Sequence, residues 1–370
     1  MAADDYYANL AAVRGLRAAG YEPWVATSRR RTLAGRSRAT AGVVGVPWPS
    51  EGTGAFVREL AAVASRIGAA CVLPGTEATT VALAGAHGAF PGIALGACSP
   101  ETLARAADKT RLAELGADAG LRTPRSVRFD GSTPLELPLP VVVKPVRSTL
   151  PLGDKTTNMP PARRVETQAE LRQALLAAGE VVVQPFVDGR LYAVAGVAWH
   201  GELICTLHQH ARRIHPEPCG VSAYAETVPR DHALDAAVAA VLARVGWSGI
   251  FELQLIQAGD GPYLIDFNPR FYGSLALAIA AGHNLPAIWV DLLLGRRPVV
   301  PEYRVGVRYR AELRDAQAIA ALLRRHPVNA LRALRPRPHT AHAVVSLRDP
   351  LPTLGLLSGA TKRLVRRPAS

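Results

Sequence analysis

Apolar residues recur first at helical spacing and then in short extended runs through the first hundred positions. Residues 7–19 and 56–67 have the three-and-four spacing of amphipathic helices, and a glycine follows each run. Residues 22–26 and 70–73 are short apolar runs typical of buried strands. Because helices that alternate with strands usually cover a parallel sheet, we predict an α/β domain over residues 1–105, whose first strand is shortened or missing.

The pattern changes after residue 105. Residues 106–180 contain a helix start at Asp108-Lys109 and a buried strand at 139–145. Residues 146–161 show neither periodicity nor apolar mass, which predicts a mobile loop.

Residues 181–297 alternate mostly with the two-residue period of strands, and helices are predicted at 233–245 and 275–281. Residues 298–370 are rich in arginine and proline and are predicted to form a basic C-terminal extension. The fold class expected from this order is α/β followed by α+β.

Two strands near the end of the third unit carry oxygen ligands on one face. Alternation assigns the opposite, apolar face to Phe251, Leu253, Leu255, Tyr263, Ile265 and Phe267. If the turn centres on Gly259, Glu252 lies directly across from Asp266, with Asn268 two residues along. Opposed carboxylates repel by roughly 0.2–1 kcal/mol unless a cation lies between them. Three oxygen ligands favour Mg²⁺ or Mn²⁺ over zinc, and a hairpin with one solvated face is the alternative.

Arg270 follows directly after Pro269, which ends the second strand. Gly273 and Ser274 then open a helix, with Ser274 as the predicted N-cap and backbone N–H groups that could receive a substrate anion. A guanidinium and a helix N-terminus beside a cation-binding face suit a negatively charged transition state. The alternative is that Arg270 pairs with Asp266 and that Ser274 only caps the helix.

Lysine is rare in this chain, with four lysines beside 39 arginines. Lys144 closes a run of valines, where an ammonium group is costly unless it reaches an anion or water. Lys109 begins a helix, where its charge opposes the helix dipole. Both placements favour a bound anion, and a solvated surface lysine is the alternative for each.

The segment 208–215, which is predicted to join two strands, contains three histidines and two arginines. Such a segment could line an acceptor pocket or reach the γ-phosphate of a nucleotide, and Arg213 is our candidate for that contact. A surface loop is the alternative. Metal binding by the histidines lacks a matching ligand cluster.

The formal net charge of +13 belongs almost entirely to the end of the chain, because residues 296–370 hold 16 lysines and arginines against 4 acids. A nucleic-acid or polyanion binder acting through this tail is therefore the competing interpretation. Its only aromatic residues for base stacking are Tyr303 and Tyr309, which makes a nucleic-acid partner the weaker hypothesis.

Localisation follows from the cysteines and the first residues. The four cysteines are far apart and form no Cys-x-x-Cys motif, and the acidic start differs from a signal peptide. We expect a cytoplasmic protein. No apolar run reaches the length of a membrane span, so no membrane partner is expected, and a homodimer stays open.

These motifs occur in the order of a known superfamily. The chain carries Asp108-Lys109, Val143-Lys144-Pro145, Gln184-Pro-Phe-Val-Asp-Gly189, Phe251-Glu252-Leu-Gln and Ile265-Asp-Phe-Asn-Pro-Arg270. This order resembles the ATP-grasp superfamily of carboxylate ligases, in particular members similar to the carbamoyl-phosphate synthase large chain. The resemblance implies the ATP-grasp fold with an N-terminal Rossmann-like pre-ATP-grasp domain, an N-terminal subdomain over 106–180 and a C-terminal subdomain over 181–297.

The resemblance also implies site residues. ATP would lie between the two subdomains, with Lys109 and Lys144 on its phosphates. The adenine would meet the backbone of Gln184, Pro185, Phe186 and Val187. Arg190 and Leu191 stand where the family often has a glutamate for the ribose hydroxyls, and Asp188 is our candidate to take its place. Glu252, Asp266 and Asn268 look like the magnesium set, and Arg270 looks like the arginine that steadies an acyl phosphate.

The implied activity is ATP-dependent coupling of a carboxylate to an amine, either an amino acid or a peptide-like acceptor, with release of ADP and phosphate. A carboxylate kinase or ATPase with a nonamine acceptor is the alternative within enzymes. Residues 146–161 are expected to close over the nucleotide and exclude water, because an acyl phosphate hydrolyses easily.

Overall fold

The computed structural model describes residues 1–29, 31–129, 137–177, 180–335 and 337–365. The last five residues of the predicted basic extension, 366–370, lie outside the described residues.

The first part of the chain builds a small parallel sheet flanked by helices. Its elements are α1 (Tyr7–Ala18), β1 (Trp24–Thr27), β2 (Gly42–Gly45), α2 (Thr53–Arg66), β3 (Cys71–Val72), α3 (Glu77–Leu83) and β4 (Ala94–Leu95). β1 pairs in parallel with β2, and β3 pairs in parallel with β4. Ala2 forms parallel bridges to Ala26 and Pro74 and so joins the two pairs. The predicted alternation of helices and parallel strands is confirmed, and Ala2 alone stands in the place of a first strand.

A four-stranded antiparallel sheet follows. Its part of the chain contains α4 (Pro100–Ala107), α5 (Lys109–Asp118), β5 (Val127–Phe129), β6 (Val141–Pro145), β7 (Thr149–Leu152), β8 (Lys155–Asn158), β9 (Arg163–Val165), α6 (Gln168–Ala177) and β10 (Val181–Pro185). The strand order is β5-β10-β6-β9. β10 was assigned to the third unit from the sequence, but Val181 and Val183 pack with Val141 and Val143 in the core of this sheet. The boundary between the two sheets therefore falls after Pro185 rather than at residue 180.

Residues 146–161, predicted as an irregular mobile loop, form an antiparallel hairpin of β7 and β8. The hairpin turn contacts the N-terminal domain: the N–H of Thr53 donates to the carbonyl of Asp154 at 2.6 Å, and the N–H of Gly54 donates to its Oδ1 at 2.8 Å. Both N–H groups belong to the first turn of α2, whose N-cap Gly52 offers no side chain. The sequence could not reveal the contact between the hairpin turn and α2, because the two segments are about one hundred residues apart.

The remaining chain forms a seven-stranded sheet and its helices. The elements are β11 (Arg190–Trp199), β12 (Glu202–His215), β13 (Val221–Thr227), α7 (His232–Val245), β14 (Gly249–Ala258), β15 (Gly261–Asn268), α8 (Leu275–Ala281), α9 (Leu285–Leu293), β16 (Arg308–Arg310), α10 (Glu312–Arg325), α11 (Pro327–Leu334), β17 (Thr340–His342) and α12 (Pro350–Val365). The order is β15-β14-β11-β12-β13-β16-β17. Two strands of the predicted extension thus complete this sheet, so the basic segment is not a detached tail.

Segment 208–215 lies inside β12 rather than between two strands. Its apolar alternation breaks down at His208, yet the strand continues, because β11 pairs with it as far as His210 and β13 pairs with it from Gln209 to His215.

The two faces of the large sheet are covered by different helices. α7 packs on the face that carries Val194, Phe251 and Leu253. The opposite face, with Ala195 and Val197, packs against α1, α8 and α9. Because α1 belongs to the first domain, this core fixes the N-terminal domain against the large sheet. Glu252 pairs with Ala195 and therefore points to the same face as α1.

Among the described residues, no single helix has the length and apolar composition to cross a membrane. The pair α8 and α9 passes that test only when taken together, across a bend of 89°.

Candidate active site

A β-bulge keeps the acidic and amide side chains of β14 and β15 on one face. Near the turn Leu255 pairs with Leu264, whereas one position further Gln254 pairs with Asp266. Ile265 is therefore the extra residue of the bulge. Without it, each side chain beyond this point on β15 would point to the other face, because a one-residue shift reverses the facing.

The observed register of β14 and β15 differs from the predicted one. The sequence placed Glu252 directly across from Asp266, but Glu252 pairs with Asn268, and Asp266 lies two residues along. All three side chains still share a face. The predicted apolar face changes as well, because Leu264 rather than Ile265 joins the core.

Glu252 is a buried carboxylate surrounded by amide groups. Nδ2 of Asn268 donates to its Oε2 at 2.9 Å, and Nε2 of Gln254 donates to the same oxygen at 3.3 Å. Nε2 of Gln209 donates to Oε1 at 3.4 Å. Burial raises the pKa of Glu252 to about 7, against the opposing effect of Arg270. A second cation beside Glu252 would favour its charged form.

Two lysines from different elements meet near Asp266. Nζ of Lys109, the first residue of α5, lies 3.1 Å from Oδ1 of Asp266 and donates to Ser148 Oγ at 3.2 Å. Nζ of Lys144, on β6, donates to the carbonyl of the bulge residue Ile265 at 2.7 Å. Both side chains are buried. Burial lowers the pKa of Lys144 to about 8, an effect that Asp266 opposes and Lys109 increases.

Arg270 reaches the N-terminal domain. Its Nη2 donates to Oδ1 of Asn268 at 3.0 Å, and its Nε lies 3.6 Å from Oε2 of Glu77, the first residue of α3. Its guanidinium carbon also lies 5.6 Å from the ring centroid of Tyr6. The partner of Arg270 is thus Glu77, and the alternative pairing with Asp266 is not seen.

The residues at the helix start that was predicted as an anion site make contacts within the protein. α8 is seven residues long, and Ser274 occupies its N-cap position, as predicted, but makes no side-chain capping bond. The Ser274 hydroxyl is buried and accepts a hydrogen bond from Nε2 of Gln209 at 2.6 Å. The carbonyl of Gly273 accepts from the Tyr309 hydroxyl at 2.7 Å. Ser274 therefore holds Gln209 beside Glu252.

Arg213 is engaged in an ion pair rather than free to meet a phosphate. Its Nε and Nη2 donate to Asp315 at 2.6 and 3.0 Å, and its guanidinium carbon lies 4.4 Å from the centroid of the Tyr224 ring. Arg310 shares the same carboxylate at 2.9 Å. Asp315 lies on α10, so local sequence around Arg213 could not reveal this partner.

The histidines of segment 208–215 do not converge on a metal site. Nδ1 of His208 lies 2.8 Å from the Tyr192 hydroxyl, and its Nε2 lies 2.8 Å from Oδ1 of Asp235. His208 is fully buried between these partners, which explains it as part of the contact between the sheet and α7.

A cleft of about 460 Å³ lies at the end of β10. It is lined by Thr123, Pro124, Arg125, Pro185, Phe186, Val187, Asp188, Ala258, Gly259, Asp260 and Tyr263. Four of the five predicted nucleoside contacts are in this lining. The fifth, Gln184, is buried and donates to Ser126 Oγ at 2.6 Å, while the N–H of Phe186 donates to the carbonyl of Pro140 at 2.9 Å. The volume is in the range of small-ligand pockets.

Comparison with known proteins relates this geometry to a family. Residues 178–316 match the family model described as ATP-grasp in the biosynthetic pathway with Ter operon. A search of curated proteins finds no significant match. L-amino acid ligase from Bacillus licheniformis has a TM-score of 0.63 at 17% identity, over 79% of this chain and 73% of that one.

Two further solved structures are similar. N5-carboxyaminoimidazole ribonucleotide synthetase from Thermus thermophilus has a TM-score of 0.63 at 18% identity, over 83% of this chain and 81% of that one. The biotin carboxylase domain of 2-oxoglutarate carboxylase from Hydrogenobacter thermophilus, solved with MgADP, ADP and bicarbonate, has a TM-score of 0.62 at 13% identity, over 83% and 72% of the two chains.

The protein has the ATP-grasp fold. The predicted fold class, including the α/β domain that precedes the ATP-grasp sheets, is confirmed. Within this fold, segment 146–161 contains the hairpin of β7 and β8.

The oxygen groups on this face of β14 and β15 are of the kind that a divalent cation prefers. No three His, Cys, Asp or Glu side chains come together as a metal cluster within the described parts of the chain. The oxygen groups that share this face are two carboxylates, Glu252 and Asp266, and the amide of Asn268. Oε1 of Gln209 is buried without a hydrogen-bond partner. A cavity of about 10 Å³ is lined by Gln209, Gln254 and Glu252. An unpaired oxygen beside a water-sized space could accept a hydrogen bond from a metal-bound water.

Sequence analysis missed several residues of the site. Gln254 could have been found, because it lies two residues from Glu252 on the same strand face. Gln209 lies in segment 208–215, which was predicted to be a connection between two strands. Tyr6 and Glu77 carry no local signal, since only the packing of the N-terminal domain brings them to Arg270.

Proposed function

We propose that the protein is an ATP-dependent ligase that activates a carboxylate as an acyl phosphate and couples it to an amine. The observation that carries this proposal is a group of buried cations and acids at one end of β15. Lys109 lies beside Asp266, and Lys144 donates to the carbonyl of the neighbouring Ile265. Arg270 donates to Asn268, which in turn donates to Glu252. Buried charges are costly, and a scaffold alone would be served as well by apolar residues. Buried cations and acids that meet at one place are instead suited to a polyphosphate and its metal ion.

Phosphoryl transfer depends on positioning and charge neutralisation, and these residues could supply both. Lys109 and Lys144 would bind the phosphates, and the cleft at the end of β10 would hold the nucleoside. Glu252, Asp266 and Asn268 would hold Mg²⁺ or Mn²⁺, which would neutralise charge on the transferred phosphoryl group. The MgADP in a structure of the same fold supports this assignment.

Arg270 would steady the acyl phosphate at the boundary with the N-terminal domain. A substrate carboxylate oxygen would attack the γ-phosphorus, and the bond to the bridging oxygen would break to release ADP. The amine nitrogen would then attack the acyl carbon, and phosphate would leave with the former carboxylate oxygen. The hairpin of β7 and β8, which contacts α3, would help to exclude water.

The amine is the finer part of the proposal, and a carboxylate kinase or ATPase with a nonamine acceptor is the alternative. The fold-level likeness to an L-amino acid ligase favours an amino acid or peptide-like acceptor. A specific kinship with the carbamoyl-phosphate synthase large chain, a cytoplasmic location and a homodimer remain predictions.

A screen of ADP release with amino acids and small carboxylates tests the proposal, with products identified by mass spectrometry. We expect one carboxylate and one amine to raise ADP release together and to give an amide product. Glu252→Gln should abolish the release, whereas Glu202→Gln, a matched change at an exposed glutamate, should not. Undiminished release in Glu252→Gln would contradict the metal assignment. ADP formation without an amide would favour the kinase.

A further inference from the structure

The end of α10 and the whole of α11 expose leucines and arginines side by side. We call this the arginine–leucine surface; its members are Leu323, Arg324, Arg325, Val328, Leu331, Arg332, Leu334 and Arg335. Its four apolar side chains are 53, 60, 63 and 56% exposed in chain order, whereas Ala330, at 1%, faces the protein. Large apolar side chains so exposed within one short stretch are typical of an interaction site.

The arginine–leucine surface is also strongly positive. No acidic residue occurs between Asp315 and Asp349, while six arginines do. Arg325 lies 3.9 Å from Glu217, but the two side chains are 76% and 67% exposed. Such an exposed pair contributes little and leaves the surface positively charged.

Two kinds of partner fit this surface poorly. A symmetric dimer would place the same arginines opposite each other, because a two-fold interface uses one patch twice. A nucleic acid would pair with the arginines but not with the leucines, and no aromatic residue for base stacking follows Tyr309 in the sequence.

An anionic bilayer satisfies both components of the surface. Arginines interact with lipid phosphates, and leucines on the same short helices enter the boundary between headgroups and acyl chains. We propose that the arginine–leucine surface binds anionic lipid and holds the protein on a membrane surface without spanning it. This partner was not expected from the sequence, where only the length of apolar runs was considered.

Co-sedimentation of the full-length protein with vesicles tests the proposal. Vesicles of equimolar phosphatidylcholine and phosphatidylglycerol should bind the protein, and vesicles of phosphatidylcholine alone should not. Arg332→Gln with Arg335→Gln should weaken binding by about 25-fold, since each arginine near the surface accounts for about fivefold. Leu331→Ser with Leu334→Ser should weaken it by about tenfold or more without a change of charge.

Matched controls lie on other exposed parts of the protein. Arg66→Gln with Arg172→Gln removes two exposed arginines from α2 and α6, and Val299→Ser removes an apolar side chain that is 90% exposed. Both should leave binding unchanged, and circular dichroism should show each variant folded. If the protein fails to bind anionic vesicles, the proposal is wrong. The proposal is also wrong if the leucine variant still binds the vesicles, which would indicate a general polyanion binder. A concentration-dependent dimer that the leucine variant abolishes would likewise contradict it.

Discussion

Replacing Glu252 by glutamine should change how the stability of the metal-free protein depends on pH. Burial raises the pKa of Glu252 from 4.5 to about 7. Between these values the folded protein holds a proton that the unfolded chain has lost. Stability is therefore highest below the unfolded pKa and falls as the pH rises through the folded pKa. Glutamine does not titrate, so the variant lacks this loss.

The size of the effect follows from the shift. A shift of about 2.5 pH units corresponds to about 3 to 4 kcal/mol, at about 1.4 kcal/mol per unit. Most of it, about 2 to 3 kcal/mol, falls between about pH 5 and about pH 8. A constant offset is expected as well, because three amide groups donate to Glu252 and glutamine has one acceptor oxygen.

Urea unfolding of both proteins in the presence of a chelator measures this directly. The free energy of unfolding of Glu252→Gln relative to wild type should increase with pH by the amount above, whereas Glu202→Gln should differ from wild type by a constant. Adding Mg²⁺ above neutral pH should stabilise wild type and not Glu252→Gln. Parallel pH profiles for wild type and Glu252→Gln would refute the conclusion that the charge of the buried Glu252 carboxylate is not compensated in the metal-free protein.

Lys144→Met should weaken ATP binding in calorimetry by about 10- to 100-fold through loss of a charge-assisted hydrogen bond, and wild-type affinity should fall above about pH 8 as the Lys144 ammonium loses its proton. Asp154→Ala should cost about 1 kcal/mol in urea unfolding, because the first turn of α2 loses its acceptor, and should speed proteolysis in the hairpin. Asp315→Asn should destabilise by about 3 kcal/mol in urea unfolding, because Arg213 and Arg310 lose their shared carboxylate.

Each of these has a contrary outcome. Unchanged ATP affinity in Lys144→Met would remove that lysine from the phosphate site. An unaltered proteolysis rate in Asp154→Ala would show that the hairpin is held by its other contacts. Wild-type stability in Asp315→Asn would mean that solvent screens both arginines.

Local patterns were sufficient for most elements and for the motifs of the site. The helix predicted at 275–281 has those bounds, and Lys109 lies beside the predicted ligand Asp266. Arg270 donates to Asn268, another predicted ligand. These features depend on apolar periodicity and on residues next to strand ends, which the sequence contains directly.

The rest depends on contacts between distant segments. The bulge at Ile265 cannot be recognised from the local sequence. With or without it, the pairing of β14 and β15 keeps one face apolar near the turn. The ion pair of Arg213 with Asp315 and the hairpin turn on α2 each join segments about one hundred residues apart. Periodicity reports which side of an element is buried, and it carries no information on which element covers it.

The most direct test of the central claim is a crystal structure grown with Mn²⁺ and a nonhydrolysable ATP analogue, with an anomalous difference map collected for manganese. The account predicts a manganese peak in coordination contact with Glu252, Asp266 and Asn268, next to phosphates that Lys109 and Lys144 bind. A nucleotide bound elsewhere, or a metal held by the phosphates with no contact to these three side chains, would contradict it.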